Sequence, residues 1–250
     1  MKKITALTSI GSAIEFYDFL TYILLASYLS QIFFPQDNAF IAKVETLLVF
    51  AMGYLARPIG GMYFGSKGDR DGRKDVFLTT ILLMAFATLG IGILPTYDQV
   101  GYIAPLLLIL LRLLQGLAQG AELPGAITFI AEHAHKKNRG MYVSFVFMAV
   151  LSGALLCSFT HYLLTTFLTD EEILAWGWRL PFLFGGSILL LGYFLRKRMA
   201  ETPIFINQAN NTHAVPLLEI VKHYPLKIVL GIMLTLLTAM MVVFGYYTPS

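Results

Sequence analysis

Five ionisable residues sit where water should be scarce: Glu15, Asp18, Arg57, Arg112 and Glu122 all interrupt long apolar runs of this 250-residue chain. Placing one such charge at mid-bilayer costs at least about 2.5–3.5 kcal/mol, and residues kept at that cost normally face a bundle interior or a cavity and mark ion and substrate paths. Their spacing is helical. Glu15, Asp18 and Tyr22 fall at i, i+3 and i+7, while Arg112, Gln115, Gln119 and Glu122 fall at i, i+3, i+7 and i+10. Two polar stripes of compensating sign on otherwise apolar helices predict a wet central cleft.

Two kinds of chemistry suit these residues. Asp18 and Arg112 either form a static salt bridge, or Asp18 is a carboxylate that binds and releases a proton as the cleft changes shape. A dry site favours the protonated acid and a nearby cation opposes it, so opening such a pair moves a proton. Glu15 and Glu122 are open to either role. Arg57 lies in Ala56-Arg57-Pro58-Ile59-Gly60-Gly61, and its planar fork suits either the carboxylate of a solute or a purely structural partner; Tyr22, Gln115 and Gln119 are candidates for the same cleft. His161 is a lone histidine, better read as packed than as a proton carrier. Gly116, Gly120 and Gly125 allow close helix packing. No nucleophile–base constellation, metal-ligand cluster or phosphate loop is present, so neither an enzyme nor a cofactor is expected, and nothing suggests nucleic acid.

The elements that must hold these residues follow from composition. Hydrophobic residues make up 57% of the chain and charged ones 13%, about half the charge of an ordinary soluble domain. The single cysteine, Cys157, excludes an intrachain disulfide. Seven apolar segments are long enough to cross a bilayer as helices: about 12–34, 47–64, 76–94, 104–131, 141–168, 178–195 and 228–247. The first is too long, and carries two acids, for a cleavable signal. Backbone hydrogen bonding in lipid makes all of them helical, so the fold class is all-α, a polytopic bundle. The segmentation is a six-helix bundle over 1–195, a linker over 196–224 and a seventh helix over 225–250. The run Asn207–Thr212, with Pro203, Pro216 and Pro225 around it, marks the linker. Alternate connections hold Lys2, Lys3, Lys67, Arg70, Arg73, Lys74, Lys136, Lys137, Arg139, Arg196, Lys197, Arg198, Lys222 and Lys227, against only Lys43 and Arg179 opposite. The positive-inside rule then places the N-terminus in the cytoplasm.

Between the second and third segments the chain reads Gly65-Ser66-Lys67-Gly68-Asp69-Arg70-Asp71-Gly72-Arg73-Lys74. Gly65 suits close approach of a helix, Gly72 a tight turn, and Asp69 a helix N-terminus or a cation. This resembles, at every defined position, the major facilitator signature Gly-x-x-x-Asp-Arg-x-Gly-Arg-(Arg/Lys). Further stretches are similar to one subgroup, the metabolite:proton symporters, which include α-ketoglutarate, citrate, shikimate and proline/betaine permeases. They are Glu15-Phe16-Tyr17-Asp18-Phe19, where the subgroup usually has Trp second, Arg57-Pro58-x-Gly60-Gly61, Arg112-Leu113-Leu114-Gln115-Gly116, Trp176-Gly177-Trp178-Arg179, Glu201-Thr202-Pro203 and Tyr246-Tyr247-x-Pro249.

The resemblance implies a bundle of two inverted three-helix repeats, alternating access, and a latch at Gly65, Asp69, Arg70, Gly72 and Arg73. It implies proton-coupled import of a small organic acid or zwitterion, with Asp18 and Arg112 as the proton-linked pair. It implies a multi-pass protein of a bacterial inner membrane. Two departures matter: Leu123-Pro124-Gly125 follows Glu122 where the subgroup more often has a Gly-Gly-rich run, and the superfamily uses about twelve spans in two halves. Seven spans match the first half and one helix of the second, so the chain is expected to need a C-terminal half or a partner chain. A proton-independent facilitator and a non-transporting membrane module are the competing readings.

Overall fold

The computed structural model describes residues 1–35, 37–198, 201, 205 and 221–247, with backbone alone for 2–4 and 238–247. It falls into two compact units, Met1–Asn211 and Thr212–Ser250. The expected linker run Asn207–Thr212, with Thr202-Pro203-Ile204, Pro216 and Pro249, lies outside the described residues.

In the first unit, α1 spans Lys2–Leu24, α2 Ala26–Phe33, α3 Ala39–Asp71, α4 Arg73–Ile93 and the short α5 Tyr97–Val100. They are followed by α6 over Ile103–His133, α7 over Arg139–Phe167, the one-turn α8 over Asp170–Glu172 and α9 over Arg179–Lys197. In the second unit α10 runs over Pro225–Tyr247. Five of these helices are long and apolar enough to cross a membrane alone, and α1 with α2 makes a sixth as a pair bent by 65°. All seven expected segments are therefore helices, with differences in bounds and in the placing of some residues.

The first segment begins near Lys2 rather than Ser12 and is broken at Leu25, where φ −91° and ψ 2° depart from helix. The second extends beyond both expected ends, because hydropathy fades at Lys43 and Lys67 while backbone hydrogen bonding continues. Gly65, Asp69 and Arg70 therefore lie in the last turns of α3, not in a loop. Only Gly72, at φ 113°, interrupts the helix; that region is cheap for glycine alone. Finally, the expected bundle boundary at 195 cuts α9. Arg196, expected among the exposed basic residues after the sixth segment, is 2% exposed.

The strongest contacts pair α3 with α6, α1 with α7, and α4 with α9. Exchanging the first three spans with the last three maps the first pairing onto the second and leaves the third unchanged, the pattern of an internal two-fold repeat. One end is sealed by Trp178, set edge-on to Phe33 with ring centroids 5.2 Å apart. Leu29, Ile91, Leu108 and Phe182 pack in the same cluster. At this end Arg179 donates to the carbonyls of Gly92 and Leu94 at 3.2 and 2.7 Å, tying α9 to α4. Outward-facing apolar residues such as Ile93 (72% exposed) and Leu155 (73%) fit a solvent of lipid chains.

Local caps start the helices. The Asn38 side chain accepts from Phe40 N and Ile41 N at 3.0 and 3.3 Å, satisfying two free donors of α3. Asn38→Ala should cost about 1 kcal/mol, read as a lower melting temperature of the purified chain; an unchanged melt would mean the cap contributes nothing. At α8, Thr169 N donates to Glu172 Oε2 at 2.9 Å, which holds that exposed carboxyl below the usual range.

Candidate functional site

Polar side chains lie in a row along the bundle axis, and α1 carries the central part of it. Deepest is Asp18, 1% exposed. Its Oδ1 accepts from Thr88 Oγ1 at 3.0 Å and its Oδ2 from Gln115 Nε2 at 2.8 Å, so α4 and α6 both close on it. Arg112, one turn from Gln115, does not reach it: no ion pair joins the two among the described residues. Its guanidinium lies over the Tyr22 ring, 3.7 Å from the centroid, and its Nε and Nη2 have no hydrogen-bond partner among the described residues. Tyr22, expected in a cleft, is fully buried and spends its hydroxyl on Thr46 O at 3.1 Å.

Next in the row is Arg57. Its guanidinium is held between Phe19 and Tyr54, 4.5 and 4.6 Å from the ring centroids, and Nη2 donates to Gln119 Oε1 at 2.6 Å. Phe19, Phe50, Tyr54, Arg57, Arg112, Gln115 and Gln119 line a shallow pocket opening from the side of the bundle. These residues belong to the expected wet central cleft. Most of the two stripes is packed inside the bundle, because helix faces of opposite polarity satisfy each other before they satisfy water. Glu15 is 7% exposed and has no hydrogen bond or ion pair among the described residues.

Glu122 takes a partner that spacing did not suggest. Its Oε1 is 2.5 Å from Arg196 Nη2, and its Oε2 accepts from Thr80 Oγ1 at 3.2 Å. Arg196 also donates to Thr8 O at 3.1 Å, so one pair gathers α1, α4, α6 and α9. Thr80, Thr88 and Arg196 are the site residues the sequence reasoning missed. A signal existed for each: Thr80 and Thr88 share a face of α4, and Gly185, Leu189, Gly192 and Arg196 continue one buried stripe of α9.

The row ends at the Gly72 turn, hereafter the signature end. Arg73 pairs with Asp69 at 2.7 Å and with Glu132 of α6 at 3.3 Å, while among the described residues Arg70 pairs only with its neighbour Asp71. Lys74 N, in the first turn of α4, donates to Glu201 Oε2 at 3.0 Å. Asp69 therefore meets a cation, as expected, but Gly65 meets no helix: nothing described lies within 4 Å of where its Cβ would be. Instead Gly61, Gly65, Gly68, Gly120 and Gly125 line an open groove beside Arg73. Close approach occurs elsewhere, where Gly116 of α6 meets Gly53 of α3, Gly120 meets Arg57 and Gly61, and Gly60 meets Leu117, backbone to backbone. His161 borders a small apolar pocket with Cys157, its Nδ1 without a partner.

A signature turn between two long helices, with one acid and one arginine bridging it, is matched by the family model described as Major Facilitator Superfamily, which covers residues 8–250. The chain belongs to the major facilitator superfamily. Among curated relatives, a Staphylococcus aureus (strain COL) protein named "Putative proline/betaine transporter" is 45% identical over 207 residues, covering 82% of this chain and 44% of that one. The Escherichia coli K12 "Inner membrane metabolite transport protein YhjE" is 38% identical over 239 residues, covering 94% of this chain and 54% of that one. The chain spans about half the length of the curated relatives it matches. Among solved structures, the proton:xylose symporter XylE bound to 6-bromo-6-deoxy-D-glucose superposes with a TM-score of 0.76 at 22% identity, covering 84% of this chain and 47% of that one. A partially occluded inward open form of E. coli XylE gives the same TM-score at 21% identity. At such identity the likeness is one of fold. It shows the N-terminal half of the major facilitator fold and leaves the chemistry to this chain's own residues.

Proposed function

We infer that this chain forms half of the path of a secondary transporter, which imports a small organic acid or zwitterion together with a proton by alternating access. The observation that carries the reading is Asp18: a carboxylate 1% exposed, held by the neutral donors Thr88 and Gln115 while the Arg112 guanidinium stands by without pairing to it. A carboxylate so placed can change its proton occupancy when a neighbouring cation shifts, which a closed salt bridge resists. Arg57 lines the pocket and its buried Nε has no hydrogen-bond partner among the described residues, so its guanidinium is the cation offered to a solute carboxylate.

The solute then binds against Arg57 and Gln119, with Phe19 and Tyr54 as apolar walls. The opposite wall comes from a second set of helices, in keeping with relatives twice as long. The Asp69–Arg73–Glu132 contacts act as the gate that breaks and re-forms. The signature end lies in the cytoplasm of a bacterial cell, on the strength of the basic residues gathered there, a bias that survives moving Arg196 into the bundle.

The test is uptake by native membrane vesicles, against a strain lacking the chain, of proline, betaine, α-ketoglutarate, citrate and shikimate at two external pH values. One coupled proton supports about tenfold accumulation per unit of pH gradient. Asp18→Asn should remove that accumulation and the pH dependence while leaving equilibration. Wild-type uptake indifferent to pH would replace the symporter with a facilitator. No uptake of any of the five solutes would remove the transport reading for these substrates.

A further inference from the structure

Glu15 is connected to the signature end by a line of side chains that the mechanism above does not use. Thr5, Thr8, Ser12 and Glu15 follow one another at spacings of 3, 4 and 3, one face of α1. All four are buried, at 5%, 1%, 1% and 7% exposure. The hydroxyls of Thr5, Thr8 and Ser12, and of Ser9 beside them, have no hydrogen-bond partner among the described residues. Serine and threonine in a helix can return their hydroxyl to the carbonyl one turn back; Thr21 does so with Tyr17 O at 2.8 Å, and these four do not. On the same side Arg196 Nη1 is also unpartnered.

The outer end of this line is open. Thr5, Ala6 and Ser9 of α1 face Met141, Tyr142 and Phe145 of α7 across a groove of about 780 Å³ counting its mouth, at the signature end. The inner end is the Glu15 carboxylate. The charged groups acting on it are Glu122 of α6, Arg57 of α3, Arg196 of α9 and Asp18 of its own helix. From α7 the nearest titratable side chain of the groove is Tyr142. Buried polar atoms are paired with protein or with ordered water in nearly all native structures, so a row of hydroxyls without protein partners is a place for water.

We propose that Thr5, Thr8, Ser9 and Ser12 hold a file of water molecules that conducts protons between the signature-end groove and Glu15. In the import direction Glu15 gives its proton to the nearest water, each hydroxyl accepts one proton on its oxygen and gives up its own to the next water, and the proton leaves at the signature-end groove with no net change in the file. The buried Glu122–Arg196 pair is the fixed flank of the file, not a carrier: both its charges are engaged. The inference rests on the symport reading and adds a division of labour, with Asp18 as the coupling site and Glu15 as the point of exchange with the signature-end solution.

The double variant Thr8→Val, Ser12→Ala removes two hydroxyls at nearly constant volume. Acid-driven uptake should fall about tenfold or more, whereas counterflow exchange with equal pH on both sides should stay unchanged, and Ser12→Thr alone should behave as wild type. Acid-driven uptake by wild type with no loss in the double variant would overturn the water file and leave the symporter standing. Wild-type uptake without acid drive would overturn the symporter itself. If the double variant loses exchange as well, infrared titration of the purified wild-type chain decides: a carboxyl band abolished by Glu15→Gln should follow bulk pH and shift at once in D₂O. A Glu15 band indifferent to pH or slow to exchange would overturn the proposal.

Discussion

Replacing Arg196 by leucine should destabilise the bundle by about 3–5 kcal/mol, the cost of leaving a buried charge without its partner. Arg196 is the penultimate residue of α9, with its guanidinium on Glu122, on the Thr8 carbonyl and 5.0 Å from the centre of the Phe77 ring. Leucine fills part of the same space but leaves the Glu122 carboxylate with one neutral donor, Thr80. Adding Glu122→Gln should recover most of the loss, because removing both charges also removes the cost of burying them. Arg196→Lys should recover little, since an ammonium cannot hold the carboxylate and the carbonyl in the same planar fork. Thermal unfolding in detergent reads all four proteins. A melting temperature unchanged by Arg196→Leu would show the pair to be solvated and of no structural weight.

The second large effect is expected at the contact of α3 with α6. A Cβ on Gly120 would fall on the Arg57 carbonyl, one on Gly116 on the Gly53 carbonyl, and one on Gly60 on the backbone of Leu117. None of the three partners is the end of a flexible side chain, so the helices themselves must part. Gly120→Ala should therefore cost about 1–3 kcal/mol and, by shifting Arg57 away from Gln119, weaken solute uptake as well. Gly65→Ala provides the contrast. Its Cβ meets open space in the groove, and alanine gains about 0.5–1 kcal/mol of helix preference, so it should be neutral or stabilising. Equal losses at the two positions would mean that the glycines matter for something other than helix approach.

Much of the fold was legible because a spanning helix announces itself within a single segment: twenty apolar residues suffice, whatever they touch. The pairing of side chains between helices is not a property of any one segment. Asp18 and Arg112 were close enough in character to be paired on paper, yet Thr88 and Gln115 reach the carboxylate first, since rotation of α4 and α6 about their axes sets the order. Arg196 was misplaced for a related reason. Hydropathy stops at the first basic residue, so an arginine turned inward at a helix end reads the same as Lys197 beside it, which faces out. Only the stripe through Gly185, Leu189 and Gly192 distinguishes them. The break at Leu25 left no mark at all: no proline or glycine stands there, and the bend follows from α2 packing under Trp178. The Asp69–Arg73 pair, by contrast, is legible in local sequence because its members stand four residues apart across the Gly72 turn, whereas Gln119 beside Arg57 and Glu132 beside Arg73 come from α6.

That break also gives α1 a mechanical character. Its short arm, α2, is wedged into the aromatic cluster of Phe33 and Trp178, while the long arm of 23 residues runs to the signature end. At 1.5 Å per residue the long arm measures about 35 Å, so a rotation of about 5° around Leu25 carries its tip through roughly 3 Å. Displacement grows in proportion to distance from the pivot: least at Tyr22, intermediate at Asp18, greatest at Thr5 beside the groove with α7. A helix built as an unequal lever converts a slight change of angle in the middle of the membrane into the width of a water molecule at its edge.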